Sequence, residues 1–140
     1  MFQDLKTLTI LLRATNSIEQ KIKEDISSYG LNLSEFGALE VLYHKGPLPV
    51  QSICEKVLIA NSSMSYVIER LTQKGLIEKV KNIEDRRIHT IELSDRGRQL
   101  IGDIYPRHLA HMRSVIDVLS EDEEKELRHL LKKLGKQITN

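Results

Sequence analysis

Between residues 76 and 93 the apolar pattern of this chain changes period, and that change limits the fold more than any other feature. Before and after it, apolar residues recur at steps of three and four. Within it, Ile88-His89-Thr90-Ile91-Glu92-Leu93 alternates apolar and polar, which suits a half-buried strand. Leu76-Ile77-Glu78-Lys79-Val80 is a second short strand, and the polar run from Lys81 to Arg87 reads as the loop between them. The pattern predicts one β-hairpin in a chain that is otherwise helical.

The helical parts follow from spacing. Phe2, Leu5, Leu8, Leu12, Ile18, Ile22 and Ile26 mark an amphipathic helix of roughly 25 residues. Ile10, Leu11 and Ala14 widen its stripe, and Gly30 is the expected C-terminal cap. Ser34 is expected to cap a second helix carrying Phe36, Leu39, Val41 and Leu42, which Gly46-Pro47-Leu48-Pro49 ends. Val50, Ile53 and Val57 predict a short third helix, and Leu58-Ile59-Ala60 a tight connection. Asn61 or Ser62 starts a fourth helix that ends at Lys74-Gly75. After the hairpin, Ser94 caps a long helix through Leu100, Ile101, Ile104, Leu109, Met112, Val115, Ile116 and Leu119, which Pro106 should kink. Ser120-Glu121-Asp122-Glu123 reads as a capping box opening a last helix, with Leu127, Leu130, Leu131, Leu134 and Ile138 as its stripe. Its acids fall in the first turn and Lys132, Lys133 and Lys136 in the last, as the helix dipole prefers.

This order is mainly α with a small β-hairpin wing: a winged helix-turn-helix with long N- and C-terminal helices. We read residues 1–140 as a single domain, with a helix-turn-helix lobe at 31–97 and dimerisation helices at 1–30 and 98–140. The stripes on the end helices exceed what so small a core can cover. A homodimer is therefore expected.

Composition narrows the function. With 40% hydrophobic and 29% charged residues, the chain is neither disordered nor membrane-like. No apolar run approaches the roughly 20 residues of a spanning helix, and the first residues lack a secretion-signal layout. A soluble, cytoplasmic protein with no membrane partner is expected. The single cysteine, Cys54, excludes an internal disulfide framework and a four-thiolate zinc site. A net charge of +1 means that any anion-binding surface is a local patch. Aromatic residues are 4% and tryptophan is absent, which argues against a base-stacking platform. There is no Gly-rich phosphate loop and no Gly-x-Ser-x-Gly elbow, so neither an enzyme nor a cofactor is expected.

Two features point to double-stranded DNA. On the helix from Ser62 to Lys74, Met64, Val67, Ile68 and Leu71 share one face. Ser62, Tyr66, Glu69 and Gln73 lie opposite, with Ser63, Ser65 and Arg70 on the flanks. Small hydrogen-bonding side chains near a positive helix end suit base edges and phosphates, although an ordinary amphipathic helix with a serine-rich start has the same layout. In the loop Asn82-Ile83-Glu84-Asp85-Arg86-Arg87, the guanidinium groups of Arg86 and Arg87 suit a narrow minor groove, with Asp85 bracing Arg87 by a bidentate pair. Alone, that loop reads rather as a solvated charge run. A helix-turn-helix followed closely by a basic hairpin is the specific signal.

Asp85-Arg86-Arg87, the strand after it, and Leu93-Ser94-Asp95-Arg96-Gly97 resemble the signature of the MarR/SlyA regulators. Ile68-Glu69-Arg70-Leu71-Thr72-Gln73-Lys74-Gly75-Leu76-Ile77 resembles the end of that family's recognition helix, and Gly30-Leu31-Asn32-Leu33-Ser34 its entry to the second helix. The resemblance spans essentially the whole chain. It implies a dimeric winged-helix transcription regulator, usually a repressor, often released by a small phenolic ligand or an oxidant. By the same resemblance Ser63 and Ser65 match recognition-helix positions and Arg87 the wing arginine, while Tyr66 stands where many members carry arginine. The Tyr43-His44-Lys45-Gly46 region and the wing look like a branch that controls quinone and aromatic-compound detoxification.

Cys54 is expected to be a small buried hydrophobe; a redox-sensor role requires an exposed thiolate of lowered pKa. His108 and His111 are three apart, and His44 lies on another helix, where some family members bind zinc; no complete ligand set is evident, so no metal is expected. The rival functions are a thiol-based sensor acting through Cys54 and a winged-helix interaction module without specific DNA binding.

Overall fold

The computed structural model describes residues 5–57 and 63–139. Its elements are α1 (Lys6–Ser27), α2 (Leu33–Lys45), β1 (Leu48–Pro49), α3 (Val50–Lys56), α4 (Met64–Gln73), β2 (Ile77–Lys81), β3 (His89–Leu93), α5 (Asp95–Ile116) and α6 (Glu121–Thr139). The chain divides after His108 into two compact units. The expected tight connection at Leu58-Ile59-Ala60, and Asn61 and Ser62, lie outside the described residues. No helix among those described is long and apolar enough to cross a membrane.

The first unit holds the core. Phe36, Ala38, Leu39 and Leu42 of α2 meet Ile53 of α3 and Val67, Ile68 and Leu71 of α4, all buried. Ile77, Ile91 and Leu93 close it from the sheet, and Ile26, Ile101 and Ile104 from α1 and α5. The hairpin is antiparallel, pairing Ile77 with Leu93 and Lys81 with His89. That register puts Ile91 and Leu93 of the alternating run on the core side, while Ile88 at the loop end is exposed.

The sheet has a third strand, which the sequence reading missed. Leu48 and Pro49 pair antiparallel with Ile91 and Thr90, giving the order β1-β3-β2. Two residues carry no visible alternation, and proline is tolerated there because β1 is an edge strand.

Helix ends follow local chemistry. The cap of α2 is Asn32, not the expected Ser34. Asn32 Oδ1 accepts from the Glu35 N–H at 2.8 Å and the Asn32 N–H donates to Glu35 Oε1 at 3.1 Å, a reciprocal capping box. Ser34 is buried at the second position of the helix. At α4 the chain leaves through Gly75 at φ +74, where the Leu76 N–H reaches the Leu71 carbonyl and the Gly75 N–H that of Thr72. This paired closure needs a left-handed residue, which glycine supplies without strain. Ser94 caps α5, accepting from the Gly97 N–H at 3.0 Å while its hydroxyl donates to the Gly75 carbonyl at 2.6 Å. Thus one serine starts α5 and fixes the end of α4. Helix α5 continues through Pro106.

In the second unit, Ser120 and Glu123 form the expected capping box of α6. Arg113 bonds both Asp117 and Glu124 at 2.8 Å, joining the end of α5 to the start of α6 and holding the Glu124 carboxyl below its ordinary pKa. None of the described side chains of α6 is buried; Leu127, Leu130, Leu131 and Leu134 are exposed. In the first unit, α1 buries only Ile26 and leaves Leu8, Ile10, Leu12 and Ile18 open.

Candidate nucleic-acid interface

Helix α4 is divided as its spacing requires. Met64, Val67, Ile68 and Leu71 face the core, and Ser63, Ser65, Tyr66, Glu69, Arg70 and Gln73 are exposed. The Tyr66 side chain stands out at 57% exposure. Ser63 occupies the N-cap position without a side-chain capping bond, so its hydroxyl is open to an outside partner. Ser62 lies outside the described residues.

The wing is an ordered loop. Asn82 Oδ1 accepts the N–H groups of Glu84 at 2.8 Å and Asp85 at 3.3 Å, folding the chain back on itself. The Asn82 N–H donates to the Ile88 carbonyl and the Ile88 N–H to that of Asp85, closing the loop base. Asp85 then grips Arg87 in three places. Its Oδ1 accepts from the Arg87 backbone N–H at 3.0 Å and Nε at 3.1 Å, and its Oδ2 from Nη2 at 3.2 Å. The Arg87 side chain beside Asp85 holds that carboxyl below its ordinary pKa. The Arg87 side chain is 91% exposed, so the grip orients its guanidinium without covering it. Arg86 is exposed, and Ile83 at the tip is almost fully so. Sequence reasoning missed the part played by Asn82, although asparagine at the start of a polar loop is a known turn signal.

Cys54 is exposed, which corrects the expectation of a buried cysteine. The core side of the short helix α3 is taken by Ile53, and the next residue is turned about 100° away from it. Among the described residues, no three His, Cys, Asp or Glu side chains gather to hold an ion. His44 lies against the rings of Tyr43 and Tyr105. His108 packs on Phe36, and its Nδ1 lies 2.6 Å from Asp25 Oδ2 in a mostly buried pair. A cavity of about 230 Å³ opens beside His108, with Ile26, Leu33, Phe36, Val41 and Val57 as apolar walls and Glu40 and Lys56 as polar lining. Nothing in the spacing of Asp25 and His108, 83 residues apart, announced their contact.

The MarR family pattern matches residues 31–89, the stretch from the entry of α2 to the start of β3. The HTH-type transcriptional regulator MhqR of Bacillus subtilis is 39% identical over 133 residues, 95% of this chain and 92% of that protein. Among solved structures, Sco3205 from Streptomyces coelicolor, a MarR family regulator in complex with DNA, superposes with a TM-score of 0.86 at 18% identity, covering 100% of this chain and 90% of that one. BpsR of Bordetella bronchiseptica, whose DNA binding is regulated by 6-hydroxynicotinic acid, gives 0.78 at 24% identity over 91% of each chain. With a winged-helix fold and a relative this similar over nearly its whole length, the chain belongs to the MarR family of helix-turn-helix transcriptional regulators.

Proposed function

We propose that this regulator is a homodimeric repressor in the cytoplasm that binds a pseudo-palindromic operator in double-stranded DNA. The observation that carries the reading is the pairing of two exposed surfaces on one lobe. One is the Ser63, Ser65, Tyr66 and Arg70 face of α4; the other is a wing whose Arg87 is oriented by Asp85 yet open. In this reading Ser62, Ser63, Ser65 and Tyr66 meet base edges in the major groove. Arg70 and Arg86 meet phosphates, and Arg87 enters the adjoining minor groove. A second copy covers the open leucines of α1 and α6, and its recognition helix enters the groove one turn away, about 34–36 Å along the duplex.

We further propose that a small aromatic or phenolic effector releases the repressor, in control of a stress or detoxification operon. The supporting observation is the cavity beside Phe36 and His108, whose volume suits a single substituted ring. It is walled by α1, α2, α3 and α5, so a ligand there touches both a proposed dimerisation helix and the DNA-binding lobe. The exposure of Cys54 favours a second reading, in which an oxidant or quinone acts on its thiol. Selection of bound sequences from random duplex DNA, repeated with phenols and quinones, tests these readings. Enrichment of a two-half-site motif, lost on adding the effector, is expected; recovery of unselected DNA favours an interaction module instead.

A further inference from the structure

Glu35 is a buried carboxylate that no function described so far uses. Its side chain is 4% exposed and each oxygen has a partner. Oε1 accepts from the Asn32 backbone N–H at 3.1 Å, and Oε2 accepts from Lys74 Nζ at 2.6 Å. Lys74 is the C-cap residue of α4, and Asn32 is the N-cap residue of α2. One side chain therefore connects the link after α1, the start of α2 and the end of the helix that carries Ser63, Ser65 and Tyr66.

Apart from the Ser94 hydrogen bonds just beyond its end, the other contacts of α4 differ in kind. Met64, Val67, Ile68 and Leu71 hold it to the core by apolar packing, which is non-directional and tolerates small slides and rotations. A short charged hydrogen bond between a buried carboxylate and a lysine favours one spacing of the two groups. The carboxylate is buried and the lysine only partly, and such an ion pair adds little net stability over an apolar pair of the same volume, which leaves geometry as what it selects. We propose that Glu35 is a positioning residue for the recognition helix: through Lys74 it fixes the axial placement of α4, and with it the fit of Tyr66 and the serines to base edges. This rests on the DNA-binding reading above. It adds a residue that touches no DNA and yet sets specificity. Because Glu35 also holds Asn32, a shift of the α1–α2 link reaches the end of α4 through the same carboxylate.

The test measures affinity for the selected operator and for random DNA, together with thermal stability, in Glu35→Gln, Lys74→Met, Lys74→Arg and the double variant Glu35→Gln/Lys74→Met. Glutamine retains the oxygen that closes the capping box but not the charge that draws in Lys74. Glu35→Gln is expected to lower operator affinity about tenfold while random-DNA affinity stays within about twofold. Lys74→Met leaves a buried charge unpaired and should lose stability as well. The double variant should regain that stability without regaining the operator-to-random ratio. Lys74→Arg, which keeps a cation at the carboxylate, should keep most of the ratio. A ratio that follows stability across the set, or one unchanged in Glu35→Gln, overturns the proposal. A wild-type protein that prefers no operator overturns the reading beneath it, and does so before any variant is compared.

Discussion

Gly97 lies so close to Leu76 that a β-carbon on residue 97 would stand 1.9 Å from the Leu76 carbonyl oxygen. The contact is with the backbone of Leu76, whose N–H closes the end of α4, so it cannot be relieved by turning a side chain. Ser94, one turn earlier, bonds the Gly75 carbonyl and donates its own N–H to the Leu76 carbonyl. The start of α5 is therefore fitted onto the segment between α4 and the β2–β3 hairpin. Gly97→Ala is expected to cost about 3 kcal/mol, the upper end of overpacking penalties. That corresponds to a fall in Tm of roughly 10 °C, measurable by circular dichroism. An unchanged Tm would show that this junction is loosely packed.

The wing makes a prediction about pH and another about salt. The depressed pKa of Asp85 comes first from its hydrogen bond with the Arg87 side chain. A carboxyl with a lowered folded pKa contributes above its ordinary value, near 3.8, and that contribution is lost as pH falls through the lowered value. Wing order should thus be constant through the neutral range and fail only in strong acid. A carbon-detected NMR titration should place the Asp85 midpoint below the ordinary one, and Arg87→Ala should bring it back. On DNA, Arg87→Ala should weaken operator binding and flatten its salt dependence by up to about one phosphate per subunit. Asp85→Ala should be a milder copy, since it frees the arginine without removing it.

The proposed dimer is tested through the open leucines. A glutamate at Leu8 of α1 or Leu131 of α6 places charge in a stripe that the isolated chain leaves exposed. If a second copy covers those stripes, both Leu8→Glu and Leu131→Glu should lower stability and abolish operator binding together. Sedimentation velocity at micromolar concentration should show the wild type as a dimer and the variants shifted toward monomer. A monomeric wild type would refute this assembly.

Effector release separates the cavity from the thiol. Phe36 and His108 wall the cavity, whereas Cys54 is exposed and is not part of its lining. If a ring binds there without covalent chemistry, Cys54→Ser keeps the full response to phenols and quinones, and Phe36→Ala weakens it about tenfold or more. Gel-shift titrations with each compound report both. Loss of the quinone response in Cys54→Ser would assign sensing to the thiol.

Much of this architecture was legible in spacing alone. The 3.6-residue period gave α4 its buried and open faces, and Ser94 and Ser120 marked helix starts because their side chains are bound to cap. Ser34 misled, because two good capping residues stand two apart and only Asn32 has Glu35 three residues on to complete the box. Strand β1 was hidden, since two residues have no period. The candidate site was legible where it is local, as in Asp85 and Arg87, two residues apart. Where it depends on tertiary contact, as in Glu35 with Lys74 or Asp25 with His108, the pairs are 39 and 83 residues apart and leave no mark on the sequence. Cys54 was misjudged because a three-residue apolar period on so short a helix does not say which neighbour faces out.

The most direct test of sequence-specific recognition by α4 is a salt titration of wild type and Tyr66→Ala on the selected operator and on random DNA. Tyr66 is exposed on the open face of α4 and carries no charge, so it should read bases and leave phosphate contacts alone. Tyr66→Ala should lose about 1–3 kcal/mol on the operator for each specific contact removed, at particular base pairs and with the salt slope nearly unchanged, and little on random DNA. Equal losses on both DNAs would contradict it, and would mean that this helix face does not read sequence.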